Sequence, residues 1–213
     1  MGHRLNLTAH EISSRLAIAS SAGIDPPYPE FPMLSEFLVG DPKPAAVLIP
    51  LLTTQDEWQV LFTRRNPDLP EHSGQVAFPG GRVDPGDVDL QWTALRETWE
   101  ETGIDPGDVT ILGRLPEFLT ITNYLVTPIV GQIPWPYPLR PAYQEVSRIF
   151  TIPLEWLADP DNHEERRLAL PPPFALESVI YFKEYDGEVL WGASARFTIM
   201  LLAALLKGSS DIK

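Results

Sequence analysis

Three glutamates in one short segment are the residues of this chain best suited to chemistry. Glu97, Glu100 and Glu101 are spaced i, i+3 and i+4 within residues 89–101. Because an α-helix turns about 100° per residue, this spacing predicts three carboxylates within an arc of about 100° on one face. Like charges so close together destabilise a bare helix, whereas hard oxygen ligands are what Mg²⁺ or Mn²⁺ prefers. The segment therefore indicates a divalent metal site, although an acidic helix face by itself is most often only solvated.

The rest of the segment predicts how the glutamate helix is positioned. Trp92, Leu95, Trp99 and Thr102 fall opposite the glutamates and predict a face buried in the core. Gly103 follows directly, where a glycine in the left-handed conformation commonly ends a helix.

Two neighbouring features strengthen the interpretation as a metal site. Arg96 lies beside the glutamates in the sequence, where its guanidinium can hold one carboxylate in place. Upstream, Gly80 and Gly81 follow Phe78 and Pro79 and predict a tight turn whose backbone can approach a ligand closely.

Residues 81–104 resemble the signature of Nudix hydrolases, G-x5-E-x7-R-E-U-x-E-E-x-G-U, in which U is an apolar residue. Asp87 stands where the first glutamate is expected, and eight residues instead of seven separate it from Arg96. Thr98 takes the first apolar position, while the Arg-Glu and Glu-Glu pairs are complete. The resemblance implies an α+β fold, with a mixed β-sheet sandwiched between α-helices and the glutamate helix beside the sheet.

The same resemblance implies roles for the site residues. The three glutamates and the backbone carbonyl of Gly81 would hold Mg²⁺ or Mn²⁺, and Arg96 would orient Glu97 for catalysis. The general base is left open between a carboxylate of the glutamate helix and Glu145, which follows on a later predicted strand.

The residues before the glycine turn resemble the pattern L-L-T-x-R-[SA]-x3-R-x3-G-x3-F-P-G-G of the coenzyme A pyrophosphatase branch of the family. The sequence from Leu61 to Gly81 has the same spacing, but Phe62, Asn66 and Pro70 depart from the pattern. Pro70 is the most consequential departure, because it replaces an arginine that could contact phosphate.

This second resemblance implies hydrolysis of coenzyme A or acyl-CoA to 3′,5′-ADP and 4′-phosphopantetheine or its acyl form. The residues implied in substrate binding are Arg65, Gly74, Gly80, Gly81 and Arg82. One alternative is a Nudix pyrophosphatase for ADP-ribose, a dinucleotide or a nucleoside triphosphate. The other is a Nudix module that binds nucleotides without catalysis, against which the complete Arg-Glu and Glu-Glu pairs count.

Charge and composition narrow the remaining classes of protein. A net charge of −13 over 213 residues argues against a nucleic-acid partner, which needs a basic footprint. The chain has no cysteine, which excludes disulfides, thiolate zinc sites and cysteine nucleophiles. No apolar run reaches transmembrane length and the N-terminus lacks a signal-peptide pattern. We therefore expect a cytoplasmic enzyme without a membrane partner, acting on a small-molecule diphosphate; a homodimer is compatible with the sequence.

Three side chains near these motifs have two interpretations each. His72 could reach substrate, but a hydrogen bond within its own loop is the commoner role. Trp135 and Tyr137 could line a ligand pocket, although aromatic residues among prolines more often anchor a loop.

Hydrophobic periodicity predicts the elements around the site. Helices are predicted at 8–21, 153–157 and 194–206. Strands are predicted at 45–53, 58–63, 109–119, 124–133 and 145–152, with a hairpin that pairs 176–183 with 188–191. The proline-rich residues 22–44 predict an irregular connection, so we expect residues 1–44 to form an extension packed on a Nudix domain of residues 45–213.

Overall fold

The described part of the computed structural model comprises residues 5, 7–21, 40–70, 72–169 and 176–206. Its helices are α1 (Ala9–Ser21), α2 (Leu90–Thr102), α3 (Leu154–Ala158) and α4 (Gly192–Leu206). Its strands are β1 (Lys43–Thr54), β2 (Glu57–Arg65), β3 (Val76–Ala77), β4 (Gly80–Arg82), β5 (Thr110–Arg114), β6 (Phe118–Leu119), β7 (Tyr124–Gln132), β8 (Val146–Pro153), β9 (His163–Ala169) and β10 (Leu176–Phe182). Residues 22–39 of the predicted irregular connection lie outside the described residues.

A large mixed sheet forms the centre of the fold. Its strand order is β3-β2-β1-β7-β5, with β4 paired to β1, β6 paired to β7 and β8 paired to β2. The pair β1–β7 is parallel, from Lys43 opposite Tyr124 to Leu51 opposite Gln132. The other pairs of this sheet are antiparallel, and β9 and β10 form a separate antiparallel pair.

The hairpin of β1 and β2 follows directly from its sequence. Gln55 and Asp56 make the turn with φ angles of 52° and 64°, a left-handed conformation that matches the twist of two-residue hairpins. After the turn, Trp58, Val60 and Phe62 alternate along β2 and are buried. This confirms the strand predicted at 58–63.

Helices cover both faces of the central sheet. On one face, Trp58, Val60 and Phe62 join a core with residues of α1 and α4. On the other face, Ala94 and Leu95 of α2 pack against Ala46, Leu48 and Ile129. A smaller cluster on the α2 side contains Leu52, Leu61, Ile104 and Ile133. The predicted α+β architecture, a mixed sheet between helices, is thereby confirmed.

The N-terminal helix is fixed to this domain by apolar and polar contacts. Thr8 and Glu11 form a reciprocal capping box at its start, with Thr8 N donating to Glu11 Oε2 over 2.7 Å and Glu11 N to Thr8 Oγ1 over 3.2 Å. Ile12 and Leu16 are fully buried, and Leu7 O accepts from the indole of Trp58 over 2.6 Å. Within the described residues, no helix is long and apolar enough to cross a membrane.

One strand prediction differs from the structure, and the strand β9 was missed. The predicted strand 109–119 is divided into β5 and β6, because Pro116 has no N–H to donate between them. Strand β9 was not predicted, since His163–Ala169 is mostly charged and has few strand-forming residues; its pairing with β10 supplies the order.

The predicted C-terminal hairpin forms only in part. Tyr185 and Glu188 exchange two backbone hydrogen bonds of 2.9 and 3.0 Å across the predicted turn. Beyond the turn, pairing with 188–191 is reduced to the isolated bridge Tyr181–Trp191, because β10 takes β9 as its main partner.

Candidate active site

The glutamate helix, α2, ends at the glycine that its sequence predicts. The Asp89 carboxylate accepts a hydrogen bond of 2.7 Å from Trp92 N and caps the start. Gly103 ends the helix with φ 76° and donates to Trp99 O over 2.9 Å. A side chain at Gly103 would also meet Arg140, with a Cβ atom 2.8 Å from Arg140 Cβ.

The buried face of α2 is not the predicted one. Leu95 and Thr102 are buried, but 41% of Trp92 and 54% of Trp99 are exposed. The helix instead turns Ala94 toward the sheet, where a small side chain permits close approach. Thr98, also buried, donates its hydroxyl to Ala94 O over 2.6 Å, so it leaves no unsatisfied donor. The prediction of a core face through both tryptophans is wrong, and Glu101 comes to lie on the buried side.

Arg96 is the centre of the charged network on the accessible side of α2. Its Nε and Nη2 atoms donate to the two carboxylate oxygens of Asp87 over 2.9 Å each. Its Nη1 atom donates to Glu97 Oε1 over 2.9 Å and to Glu100 Oε2 over 3.2 Å. Its Nη2 atom also reaches Arg82 O over 3.1 Å. One guanidinium therefore fixes two of the three glutamates relative to the strand β4.

Asp87 fills the place of the first glutamate of the signature. Besides Arg96, it accepts from Thr93 Oγ1 over 2.8 Å and from Asp84 N over 2.9 Å. The hydrogen bonds from Arg96 hold the pKa of Asp87 well below its usual range and raise the pKa of Arg96. The shorter side chain and the longer spacing in the sequence thus still give a paired carboxylate at this position.

Burial sets Glu101 and Glu97 apart from Glu100. Only 4% of Glu101 is exposed, and burial raises its pKa to about 8, against the opposing charge of Arg65 and a hydrogen bond from the backbone of Gly80. Burial also raises the pKa of Glu97, against its hydrogen bond with Arg96. The Oε2 atom of Glu101 is buried without a hydrogen-bond partner.

The glycine turn lies against both α2 and β1. A Cβ atom on Gly81 would stand 2.4 Å from Glu97 Cδ and 2.5 Å from both carboxylate oxygens. A Cβ atom on Gly80 would stand 2.4 Å from Ala46 O and 2.6 Å from Val47 Cα. Only glycine fits at either position without displacing a neighbour, and at Gly81 that neighbour is the carboxylate of Glu97.

The donors on this face suit a hard divalent cation. Among the described residues, no three acidic or histidine side chains stand in a metal-coordinating arrangement. Glu97 and Glu100 are bound to Arg96 instead. Two observations still fit a divalent metal at this site. The glutamates offer oxygen ligands, and Glu101 Oε2 is a buried carboxylate oxygen without a hydrogen-bond partner, for which a cation would be a partner.

The residues predicted to bind substrate are only partly brought together. Arg65 lies close enough for its charge to lower the pKa of Glu101, and its Nε atom is buried without a hydrogen-bond partner. Arg82 lies over the ring of Tyr124, 5.2 Å from the centroid. Gly74 has φ 65°, and a Cβ atom built there would meet nothing within 4 Å. The left-handed backbone explains why glycine is favoured at this position, and the open space around it means that it does not contact the glutamates.

Of the loop residues with two interpretations, His72 contacts its own loop and Tyr137 contacts the turn at residues 105–108. Nδ1 of His72 lies 3.0 Å from Gln75 Oε1. The hydroxyl of Tyr137 donates to Asp108 Oδ2 over 2.7 Å and accepts from Asp105 N over 2.9 Å. Tyr137 therefore anchors a loop.

The loop 140–145 adds a further acidic group to the site. Ala142 N donates to Glu101 O over 3.0 Å, and Arg140 N donates to Thr102 O over 2.7 Å. The loop thereby crosses the end of α2, and the charge of Glu145 contributes to the raised pKa of both Glu101 and Glu97. Sequence analysis named Glu145 as a candidate base, but only the fold shows why it lies near residues so distant in the sequence.

Comparison with known proteins shows the family of this chain. Residues 42–171 match the NUDIX domain. The chain belongs to the Nudix family. A Yersinia pestis (strain Pestoides F) protein named uncharacterized Nudix hydrolase NudL is 36% identical over 161 residues, which cover 76% of this chain and 79% of that protein. The chain is therefore a hydrolase acting on pyrophosphate bonds, from a family that generally requires divalent metal ions.

Solved structures of similar fold have lower sequence identity. The Nudix hydrolase RenU from M. smegmatis is 20% identical, with a TM-score of 0.48 over 57% of this chain and 76% of that one. The binary complex of a C. elegans Ap4A hydrolase is 24% identical, with a TM-score of 0.45 over 53% of this chain and 81% of that one. The family assignment rests on the sequence matches.

Proposed function

We propose that this Nudix hydrolase cleaves the diphosphate linkage of coenzyme A or acyl-CoA, with Mg²⁺ or Mn²⁺ as cofactor. The products are 3′,5′-ADP and 4′-phosphopantetheine or its acyl form. The observation that carries the proposal concerns Arg65, an element of the coenzyme A pattern. Its charge acts on the buried carboxylate of Glu101, and its Nε atom is buried without a hydrogen-bond partner. A cationic donor next to the glutamates suits a dense diphosphate anion in a protein of net charge −13.

The metal would be held by Glu97, Glu100, Glu101 and the carbonyl of Gly81. When bound, a divalent metal supplies positive charge to the phosphate oxygens and acidifies water. Arg96 orients Glu97 and Glu100, since it donates to both carboxylates.

The substrate would be bound by Arg65, Gly74, Gly80, Gly81 and Arg82. The buried Nε donor of Arg65 suits a phosphate oxygen, and the absence of a side chain at Gly81 lets the carboxylate of Glu97 lie against the glycine turn.

The reaction is an attack of water on one phosphorus of the diphosphate. The bond from that phosphorus to the bridging oxygen breaks, and the bridging oxygen leaves with the other phosphate. A carboxylate accepts the proton of the attacking water. Glu145 and the glutamates of α2 are the candidates, because their charges interact within one site.

A second candidate function is hydrolysis of another nucleoside diphosphate derivative, such as ADP-ribose, a dinucleotide or a nucleoside triphosphate. The departures at Asn66 and Pro70 favour it, because the pattern of the coenzyme A branch expects other residues there.

Product identification by mass spectrometry tests the proposal. The purified protein is incubated with Mg²⁺ or Mn²⁺ and a panel of coenzyme A, acetyl-CoA, ADP-ribose, NADH and dGTP. We expect 3′,5′-ADP and 4′-phosphopantetheine from coenzyme A. Cleavage of another panel member alone would retain the hydrolase and reject the substrate, and a mock preparation from cells without the protein is the control for contaminating activity.

A further inference from the structure

Asn66 departs from the coenzyme A pattern, where serine or alanine is expected, and the structure gives this residue a distinct set of contacts. Its Nδ2 atom donates to Tyr143 O over 2.8 Å, and its backbone N donates to Glu145 O over 2.7 Å. Its Oδ1 atom accepts from Asp68 N over 2.9 Å. Alanine has no side-chain donor, and the serine hydroxyl lies one bond closer to its own backbone. The bond to Tyr143 therefore requires the longer amide.

The loop that Asn66 binds is fastened to the glutamate helix at its other end. Ala142 N donates to Glu101 O over 3.0 Å, and Glu145 N donates back to Ala142 O over 2.7 Å. Glu145 thus lies between two attachments, the end of α2 and Asn66. Because both attachments are hydrogen bonds to backbone atoms, they restrict where the Glu145 side chain can reach.

Glu145 is far in the sequence from the glutamates of α2. Its position near them therefore depends on the hydrogen bonds that attach its loop to α2 and to Asn66. Its negative charge nevertheless acts on both Glu97 and Glu101. Asn66 directly follows Arg65, which is proposed to bind the phosphate of the substrate. One short segment therefore connects this arginine with the loop that contains Glu145.

We infer that Asn66 is a positioning residue of the active site, whose hydrogen bonds to Tyr143 and Glu145 hold Glu145 beside the glutamates of α2. The inference rests on the proposed function, because it makes Glu145 contribute to hydrolysis. Asn66 itself acts through Glu145 and not on the substrate.

Steady-state kinetics of four variants tests this role, with the panel diphosphate that the enzyme cleaves fastest. The variants are Asn66→Ala, Asn66→Ser, Glu145→Gln and the double variant Asn66→Ala/Glu145→Gln. Loss of one neutral hydrogen bond, at about 0.5–1.5 kcal/mol, corresponds to about a 2- to 13-fold fall in kcat for both Asn66 variants. We expect KM to change less than about twofold, and the double variant to be no slower than Glu145→Gln.

Asn162→Ala is the matched control. Asn162 also donates its Nδ2 atom to a backbone carbonyl, that of Trp156, over 3.0 Å, but it lies in the turn directly before β9, a strand of the separate two-stranded sheet. The kcat of Asn162→Ala should equal that of the wild type.

Amide hydrogen exchange supplies a second measurement that needs no substrate. In Asn66→Ala, the amides of Asn66, Ala142 and Glu145 should exchange about 2- to 13-fold faster than in the wild type, because local opening becomes easier by the same free energy.

Three results would overturn the inference. They are an increase of KM with kcat unchanged, which makes Asn66 a substrate contact; additive losses in the double variant; and unchanged kcat and exchange in Asn66→Ala. If the wild type cleaves no member of the panel, the proposed function fails. The exchange rates then decide the inference alone, with faster exchange supporting the attachment and unchanged exchange rejecting it.

Discussion

The replacement of Gly81 by alanine should damage activity far more than stability. The new Cβ atom would stand 2.4 Å from Glu97 Cδ and 2.5 Å from both carboxylate oxygens, about 1 Å closer than ordinary van der Waals contact. The backbone can stay in place, because Gly81 has no positive φ and the nearest atoms belong to the end of a flexible side chain. Glu97 must therefore move away from the glycine turn.

The size of each effect follows from what Glu97 loses. Displacement breaks its 2.9 Å bond to Arg96, a charge-assisted bond of about 1.5–3 kcal/mol. Release of a half-buried carboxylate into water offsets part of this loss, since burial raises the pKa of Glu97 in the folded state. We expect the free energy of unfolding to fall by less than about 2 kcal/mol. A misplacement of about 1 Å at a catalytic group can reduce the rate by about 100-fold, so kcat/KM should fall by that order.

The matched control for this experiment is Gly86→Ala. A Cβ atom on Gly86 meets nothing within 4 Å, and its φ is not positive, so its kcat/KM and stability should stay close to those of the wild type. The two measurements are kcat/KM with the best panel substrate and urea unfolding. If Gly81→Ala keeps kcat/KM within about twofold of the wild type, Glu97 is not needed in the position that the structure shows.

Three further predictions concern charged residues of the site. Glu100→Gln should reduce kcat by about 100-fold or more with an unchanged melting temperature, since residues that support a metal affect activity by about 10- to 100-fold even when they do not touch it; retained activity would remove Glu100 from the mechanism. Arg65→Ala should raise KM by about 10- to 100-fold, because a charged hydrogen bond to phosphate is lost. The control Arg167→Ala, at an exposed arginine, should leave KM unchanged. An unchanged KM in Arg65→Ala would leave Arg65 only a structural role. Asp87→Asn should lower the free energy of unfolding at pH 7 by about 1–3 kcal/mol. Because Arg96 lowers the folded-state pKa of Asp87, this stabilisation is present above the unfolded pKa near 4. It is lost progressively as the pH falls from there toward the lower folded-state pKa. If the difference in free energy of unfolding between Asp87→Asn and the wild type stays constant from pH 7 to pH 3, this reasoning is contradicted.

Local sequence signals predicted the elements whose ends or turns are specified by residues within or next to the element. Gly103 is a typical residue at the end of a helix, and α2 ends there as predicted. The left-handed turn at Gln55 and Asp56 likewise joins the two predicted strands. The strand β9 was missed, because its charged residues are ordered by pairing with β10 and not by their own preference.

Helical periodicity could not decide which side of α2 is buried. Trp92 and Trp99 are the largest apolar side chains of the helix, yet they are exposed, while the smaller Ala94 and Thr98 are fully buried. A helix can approach a sheet most closely where its side chains are small, and the sheet residues that it meets come from β1 and β7. Their contribution cannot be read from the helix sequence.

The sequence by itself determined the family, the spacing of the three glutamates and the arginine that accompanies them, because these depend on residues close together along the chain. The tertiary structure decided which glutamate is buried, how Asp87 replaces the usual glutamate, and that Asn66 and Glu145 meet near the end of α2. Those properties depend on contacts between segments far apart in the chain. Burial and charge interactions act across space, and so only the folded arrangement determines them.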